Sequence, residues 1–105
     1  GNDGNTPLMM ASHEGHIDAV EKLLEHQRIE VNTPDREGLT PLIHAINNGH
    51  EAVVEKLLDD PRTEVNNTDE CGMTLLMIAS SKGHVGVLEK LVSFLLLTIL
   101  KKVKL

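Results

Sequence analysis

The sequence predicts an all-α protein built from stacked pairs of short helices, and three observations support this prediction. First, the chain repeats with a period of 34 residues: aligning 4–35 with 38–69 without gaps gives 17 identities in 32 positions. Second, apolar residues in each copy follow the i, i+3, i+4 spacing of a buried helical face. Third, Thr-Pro and Gly stand where short helices would begin and end. Because one helix pair cannot bury its own apolar face, the copies are expected to stack.

The first helix of each copy is predicted from its boundary residues. Thr6 and Thr40 suit the cap of a helix N-terminus, and each precedes a proline at the first helical position, where the missing N–H costs nothing. Gly15 and Gly49 suit the left-handed end of the same helix. Small residues on these helices would let neighbouring copies approach closely: Ala11, Ala45 and Ala79.

The second helix of each copy is predicted to begin near Asp18 and Glu51, because acidic residues are favourable at a helix N-terminus. Its predicted buried stripe is Val20, Leu23 and Leu24 in the first copy, and Val54, Leu57 and Leu58 in the second. A loop follows at about 27–36 and 61–70, where a Val-Asn pair indicates an extended stretch that runs into a turn.

These elements resemble the ankyrin repeat. The matching motifs are Asp-x-x-Gly-x-Thr-Pro-Leu, x-x-Ala, x-x-x-Gly-His, Val-x-x-Leu-Leu and Val-Asn, in register over about 1–92. The resemblance implies a single ankyrin-repeat solenoid of helix-turn-helix units with β-turn fingers, with repeats at about 1–35, 36–69 and 70–92. It also implies a non-catalytic module that binds a partner protein through its finger tips and concave helix face.

Two departures from the family pattern concern local geometry. The period is one residue longer than usual, and the extra residue falls in the loop around 26–30 and 60–64. The proline that opens the first helix is replaced by Leu75 in the third copy.

Composition narrows the function further. A chain of 105 residues forms one domain at most, and its net charge of −6 argues against nucleic-acid binding. Phe94 is the only aromatic residue, and Cys71 is the only cysteine, so no intramolecular disulfide forms. Without a signal segment in 1–20, an intracellular location, cytoplasmic or nuclear, is expected.

The sequence contains few side chains in patterns typical of catalytic, cofactor-binding or metal-binding sites. No nucleophile grouping or phosphate-binding loop is present, so neither an enzyme nor a cofactor is predicted. His16, His50 and His84 recur once per repeat. Equivalent positions on stacked helices lie about 8–10 Å apart, so hydrogen bonding between repeats is predicted rather than a metal site. His13 and His26 are expected to be exposed. His44 stands where the ankyrin pattern usually has an apolar residue, so it has either a packing role or a further one.

The methionines allow two interpretations. Met10 and Met77 are expected in the core, whereas Met73 falls at an exposed finger position. The alternative is that the methionines form an adaptable binding surface.

The resemblance also implies contact positions that differ between copies. They are Asn2, Asp3, Asn5, His13 and Glu14 in the first copy; Arg36, Glu37, Leu39, Asn47 and Asn48 in the second; and Glu70, Cys71, Met73, Ser81 and Lys82 in the third. Such variation within a constant frame is typical of a recognition surface, and also of unconstrained surface. Residues 1–94 carry a charge of −9, which favours a partner protein with a basic patch. The alternative is a regulatory or structural segment that contacts another domain of the same, longer chain.

Residues 93–105 form an apolar and then basic tail with helical spacing, outside the repeat. Its apolar run is too short to cross a bilayer as a helix. Three alternatives remain: the tail folds back as a cap, pairs with a second copy or a partner helix, or lies on an anionic membrane. The residues assigned to capping or self-association are Leu95, Leu96, Ile99 and Leu100.

Overall fold

The computed structural model describes residues 4–65 and 74–103, and this part of the chain contains six helices and no strand. The helices are α1 (Pro7–Glu14), α2 (Ile17–Leu24), α3 (Pro41–Asn47), α4 (Glu51–Asp59), α5 (Leu75–Lys82) and α6 (Val85–Lys102). They form three antiparallel pairs, one in each predicted repeat.

A threonine begins the first helix of every pair, as the sequence predicts. The Oγ1 atoms of Thr6, Thr40 and Thr74 accept hydrogen bonds from backbone N–H groups three residues later, at 3.1–3.3 Å. The third helix is capped in the same way although Leu75 replaces the proline. The threonine cap is therefore sufficient to begin this helix.

The pairs stack into two rows. The inner row is α1, α3 and α5, and the outer row is α2, α4 and α6. The core between the rows contains the predicted stripes, and Ala45 and Leu57 are fully buried. Ion pairs link neighbouring outer helices: Lys56 bonds Glu21 at 3.1 Å, and Lys90 bonds Glu55.

The Gly-His pairs form a joint between repeats. Nε2 of His50 donates to the carbonyl O of His13 at 2.9 Å, and Nε2 of His84 donates to the carbonyl O of Asn47 at 3.0 Å. The prediction that these two histidines bond between repeats is confirmed. Gly15 has a φ of +77°, and a Cβ added there would lie 2.6 Å from Nδ1 of His50. Only glycine therefore satisfies both the left-handed turn and the close approach of the histidine ring.

The lengthened loop contains a second joint. The guanidinium of Arg62 donates to the carbonyl oxygens of Leu24 and His26 at 2.8 and 2.9 Å, and it bonds the carboxylate of Asp60. The side-chain amide of Asn32 donates to the carbonyl O of Arg62 at 2.7 Å. These bonds attach the loop of the second repeat to the end of α2 in the first.

The core assignment of two methionines is wrong. Met10 is 60% exposed and Met77 is 52% exposed. In contrast, Met9, which precedes Met10, is buried, and so is Ile43, which occupies the repeat position of Met77. Within the described residues, no helix pair packs outside α1 or beyond α5. Burial at these positions requires a neighbouring repeat on the outer side, and none of the described residues packs there.

The tail continues the last helix. α6 runs through the predicted repeat boundary at 92 to Lys102 as one helix, as its apolar spacing predicts. It does not fold back as a cap, because Leu96, Ile99 and Leu100 are exposed. Only Leu95 is half-buried; with Phe94 it lines a small apolar groove of about 180 Å³ beside Leu58. None of the described helices has the length and apolar character needed to cross a membrane.

Candidate functional site

A concave groove lies where the finger that precedes α3 meets the inner helices. This groove has a volume of about 710 Å³. Its lining comes from the finger at 35–39, from the exposed ends of α1 and α3, and from one residue at the end of α5. The groove therefore spans all three repeats.

Asp35 fixes the shape of the finger. Its Oδ1 accepts backbone N–H bonds from Glu37 and Leu39, both at 2.9 Å, and its own backbone N–H donates to the carbonyl O of Leu39. Gly38 completes the turn with a φ of +82°. One carboxylate oxygen thus holds the loop of the finger, which leaves the other oxygen free to bond elsewhere.

That second oxygen joins the finger to the inner row. Oδ2 of Asp35 lies 2.9 Å from Nε2 of His44, and Nδ1 of His44 lies 3.1 Å from Nδ1 of His13 on α1. The two imidazole rings meet edge to face, with centroids 5.2 Å apart. A chain of three side chains therefore connects the finger, α3 and α1 across two repeats.

Asn48 adds a further contact to this chain of side chains. Its Nδ2 donates to the carbonyl O of His44 at 2.9 Å and lies 3.3 Å from Nδ1 of His13. The end of α3 is therefore held both to its own helix and to the histidine on α1.

The surroundings of Asp35 favour the charged form of its carboxyl group. Burial raises the pKa of its carboxyl group, but hydrogen bonds from the Leu39 and Glu37 N–H groups and from His44 lower it by more. The net result is a pKa below the ordinary value, so the carboxylate is ionised at neutral pH.

Most described members of the predicted contact set lie in this one groove. They are Asn5, His13, Glu14, Arg36, Glu37, Leu39, Asn47, Asn48 and Lys82. Ser81 is exposed but does not line the groove. Asn2, Asp3, Glu70, Cys71 and Met73 lie outside the described residues.

Four lining residues are absent from the predicted contact set: Met9, Met10, Asp35 and His44. The two methionines entered the sequence analysis as binding residues only through the alternative of a methionine binding surface. A signal for two of the four was present, because Met10 and His44 occupy the same repeat position and differ in chemistry, as the other contact positions do. Asp35 recurs as Asp69 at the same repeat position. Such recurrence is typical of a framework residue, so it gave no indication that Asp35 lines the groove.

The groove offers binding chemistry. It combines carboxylates, a guanidinium, amides and an exposed methionine, which suit a polypeptide surface of mixed polarity. Within 4–65 and 74–103, no three His, Cys, Asp or Glu side chains come together to hold a metal ion.

Comparisons with known proteins agree with this architecture. A family model described as ankyrin repeats (3 copies) matches residues 1–69, and another described as ankyrin repeats (many copies) matches residues 48–92. No curated protein is similar enough in sequence to match. Among solved structures, the chain is similar to an ankyrin repeat domain from Acinetobacter baumannii AYE, with a TM-score of 0.79 and 28% identity over 88% of this chain.

The chain spans about half, 48%, of the length of that Acinetobacter domain. Ankyrin repeats are in general protein-interaction modules, and the fold is typically non-catalytic. With two thirds of its length matched by one family model and a stack of three capped helix pairs, this chain belongs to the ankyrin-repeat family.

Proposed function

We propose that the chain is a non-catalytic module that binds a segment of a partner protein in the groove between the finger at 35–39 and the inner helices. One observation carries this proposal: residues that vary from repeat to repeat within a constant frame converge on a single concave surface. Surface side chains that vary without a common function would have no reason to lie together on one surface.

The groove is fixed before a partner arrives. Asp35 holds the finger in its turn, and the link through His44 and His13 holds that finger against two inner helices. A surface that is already ordered loses less conformational entropy on association, so more of the contact energy appears as affinity.

The charges in and around the groove favour a partner segment with basic side chains. Glu14 and Glu37 are exposed at its edge and Asp35 lies within it, against Arg36 and Lys82. Residues 1–94 carry a charge of −9, which would attract a basic segment over a longer range at low salt. Met10 supplies an adaptable apolar contact beside these charges.

The experiment is affinity capture from a cell lysate with the intact chain, followed by identification of the captured proteins by mass spectrometry. A double variant, Glu14→Gln with Glu37→Gln, removes two groove charges. The matched control, Asp18→Asn with Glu25→Gln, removes two exposed charges at the outer helix α2. We expect the groove variant to lose about tenfold in captured partner at low salt, since two exposed charge pairs of about 0.7 kcal/mol each together contribute about 1.4 kcal/mol.

A second variant tests the groove independently of its acids. Arg36→Ala, Leu39→Ala and Asn48→Ala together remove three lining side chains. Their control is Gln27→Ala with Arg28→Ala, two exposed side chains in the loop behind α2. Equal capture by both groove variants and both controls would contradict the proposal.

A further inference from the structure

A second apolar face lies along α6, on the side turned away from the core. Val87 and Leu91 of this helix are buried. Four apolar side chains on the opposite side are 41–66% exposed: Val92, Leu96, Ile99 and Leu100, called here the α6 seam. At 3.6 residues per turn these four positions fall within an arc of about 100°. A soluble surface rarely shows a continuous apolar strip of this kind unless another molecule covers it.

The spacing of the seam is that of a helix which pairs with another helix. Val85, Val92 and Ile99 are seven residues apart, and Glu89, Leu96 and Val103 form a second series with the same period. Together the two series alternate in steps of four and three residues, as the contact positions of a coiled coil do. The core-facing side and the solvent-facing side of α6 therefore both carry apolar residues at spacings that suit helix packing.

We propose that a second copy of this chain covers the α6 seam, with the two α6 helices antiparallel. Glu89 lies in line with the seam, one turn before Val92, and Lys102 lies beside its other end. Both are exposed, and neither has an ion-pair partner within the described part of the chain.

Charge selects the antiparallel arrangement. When two copies meet antiparallel about Leu96, Glu89 of each lies beside Lys102 of the other, so opposite charges pair at both ends. In a parallel pair, Glu89 would face Glu89 at one end of an apolar contact, and like charges there are repulsive. The antiparallel pair is also two-fold symmetric and closed, so it stops at a dimer.

The size of the contact sets the expected affinity. The seam and the positions that flank it, from Glu89 to Val103, extend over about 21 Å at 1.5 Å per residue. Two helices in contact over this length give an interface at the small end of the range for specific complexes, so the dissociation constant should be about micromolar.

Sedimentation of the intact chain over about 1–200 μM tests the proposal. The expected result is a mass that rises from 11.5 kDa towards twice that value as concentration increases. Leu96→Glu should raise the dissociation constant at least about tenfold, equal to 1.4 kcal/mol. Leu97→Glu is the matched control, because Leu97 is equally exposed, 57% against 55%, but lies about 100° around the helix from Leu96. Both variants should fold, since both side chains are exposed in one copy.

Charge exchange tests the orientation. Glu89→Lys and Lys102→Glu should each weaken the dimer, and the double variant should restore it, because antiparallel copies pair these two residues with each other. The proposal is overturned if the mass stays at that of a monomer at every concentration. It is also overturned if Leu97→Glu weakens the dimer as much as Leu96→Glu does. Failure of the double exchange to restore the dimer overturns the antiparallel arrangement, and binding of single copies to phosphatidylserine vesicles through Leu96 assigns the seam to a membrane instead.

Discussion

Replacing Arg62 with alanine should destabilise the stack by removing a joint between the first two repeats. The guanidinium of Arg62 donates to the carbonyl oxygens of Leu24 and His26 and also bonds Asp60. The carbonyl of Leu24 lies at the end of α2, where the helix provides no later N–H groups, whereas the carbonyl of His26 also accepts from the backbone N–H of Ile29 at 3.3 Å. The change removes the side-chain donor of both carbonyls and leaves Asp60 without its cation.

The magnitude follows from those bonds. Hydrogen bonds to a charged group contribute roughly 1.5–3 kcal/mol each, so the two carbonyl bonds and the pair with Asp60 amount to about 4–5 kcal/mol at the low end of that scale. The low end applies because the Arg62 side chain is 33% exposed and water replaces part of the loss. Freeing the side chain in the native state returns up to about 2 kcal/mol of rotamer entropy. The net loss should be about 2–3 kcal/mol.

The chain provides its own control. Arg28 stands at the same position of the first repeat, 34 residues earlier, and is exposed. Arg28→Ala should therefore change the free energy of unfolding by no more than about 0.5 kcal/mol. Urea unfolding followed by far-UV circular dichroism measures both variants, because the chain has no Trp or Tyr for fluorescence. If Arg62→Ala costs no more than Arg28→Ala, the loop does not attach the two repeats.

Three further predictions concern the core, a glycine joint and pH. Leu57→Ala should cost about 2–5 kcal/mol because the side chain is fully buried, and a loss below about 1 kcal/mol would contradict the stacking. Gly49→Ala should destabilise more than Gly83→Ala in thermal melts: both have φ near +70°, but a Cβ at Gly49 would lie 2.8 Å from a histidine ring, whereas none lies within 4 Å at Gly83. Equal losses would mean that the ring yields easily. The carboxyl pKa values of Asp35 and Asp60 are lowered by folding, so their contribution to stability is full above the unfolded pKa of about 3.9 and is lost as pH falls through the folded values. Urea midpoints measured between pH 6 and 2 should fall over the acid part of this range, less steeply in Asp60→Asn, and a variant with the same slope would refute the contribution of Asp60.

Helix boundaries were predictable because the interactions that set them are local. Thr40 caps a helix whose first N–H groups are within three residues of it, and Gly15 ends a helix through its own backbone dihedral angle. Burial at the ends of the stack was not predictable in this way. Met77 matches the buried Ile43 in sequence, but its exposure depends on whether another repeat packs against it.

The candidate site, too, could be predicted from the sequence only in part. Its contact positions follow from the repeat, because side chains at one repeat position face one side of the stack. The link from Asp35 through His44 to His13 could not be predicted, since it joins a finger to two helices across 31 residues of sequence. The joint at Arg62 had a signal in the recurrence of arginine at 28 and 62, but the sequence does not show that the side chain reaches the preceding repeat.

The joints between repeats have a consequence for local unfolding. The second repeat donates to the first through His50 and Arg62, and it accepts from the third through His84. Opening of either end therefore breaks one set of joints, whereas opening of the middle breaks both. Amide hydrogens of α3 and α4 should exchange most slowly with solvent, and fraying should begin at the two ends. The finger at 35–39 is anchored to this slowest segment through His44, so it should keep its turn while the ends of the stack open and close.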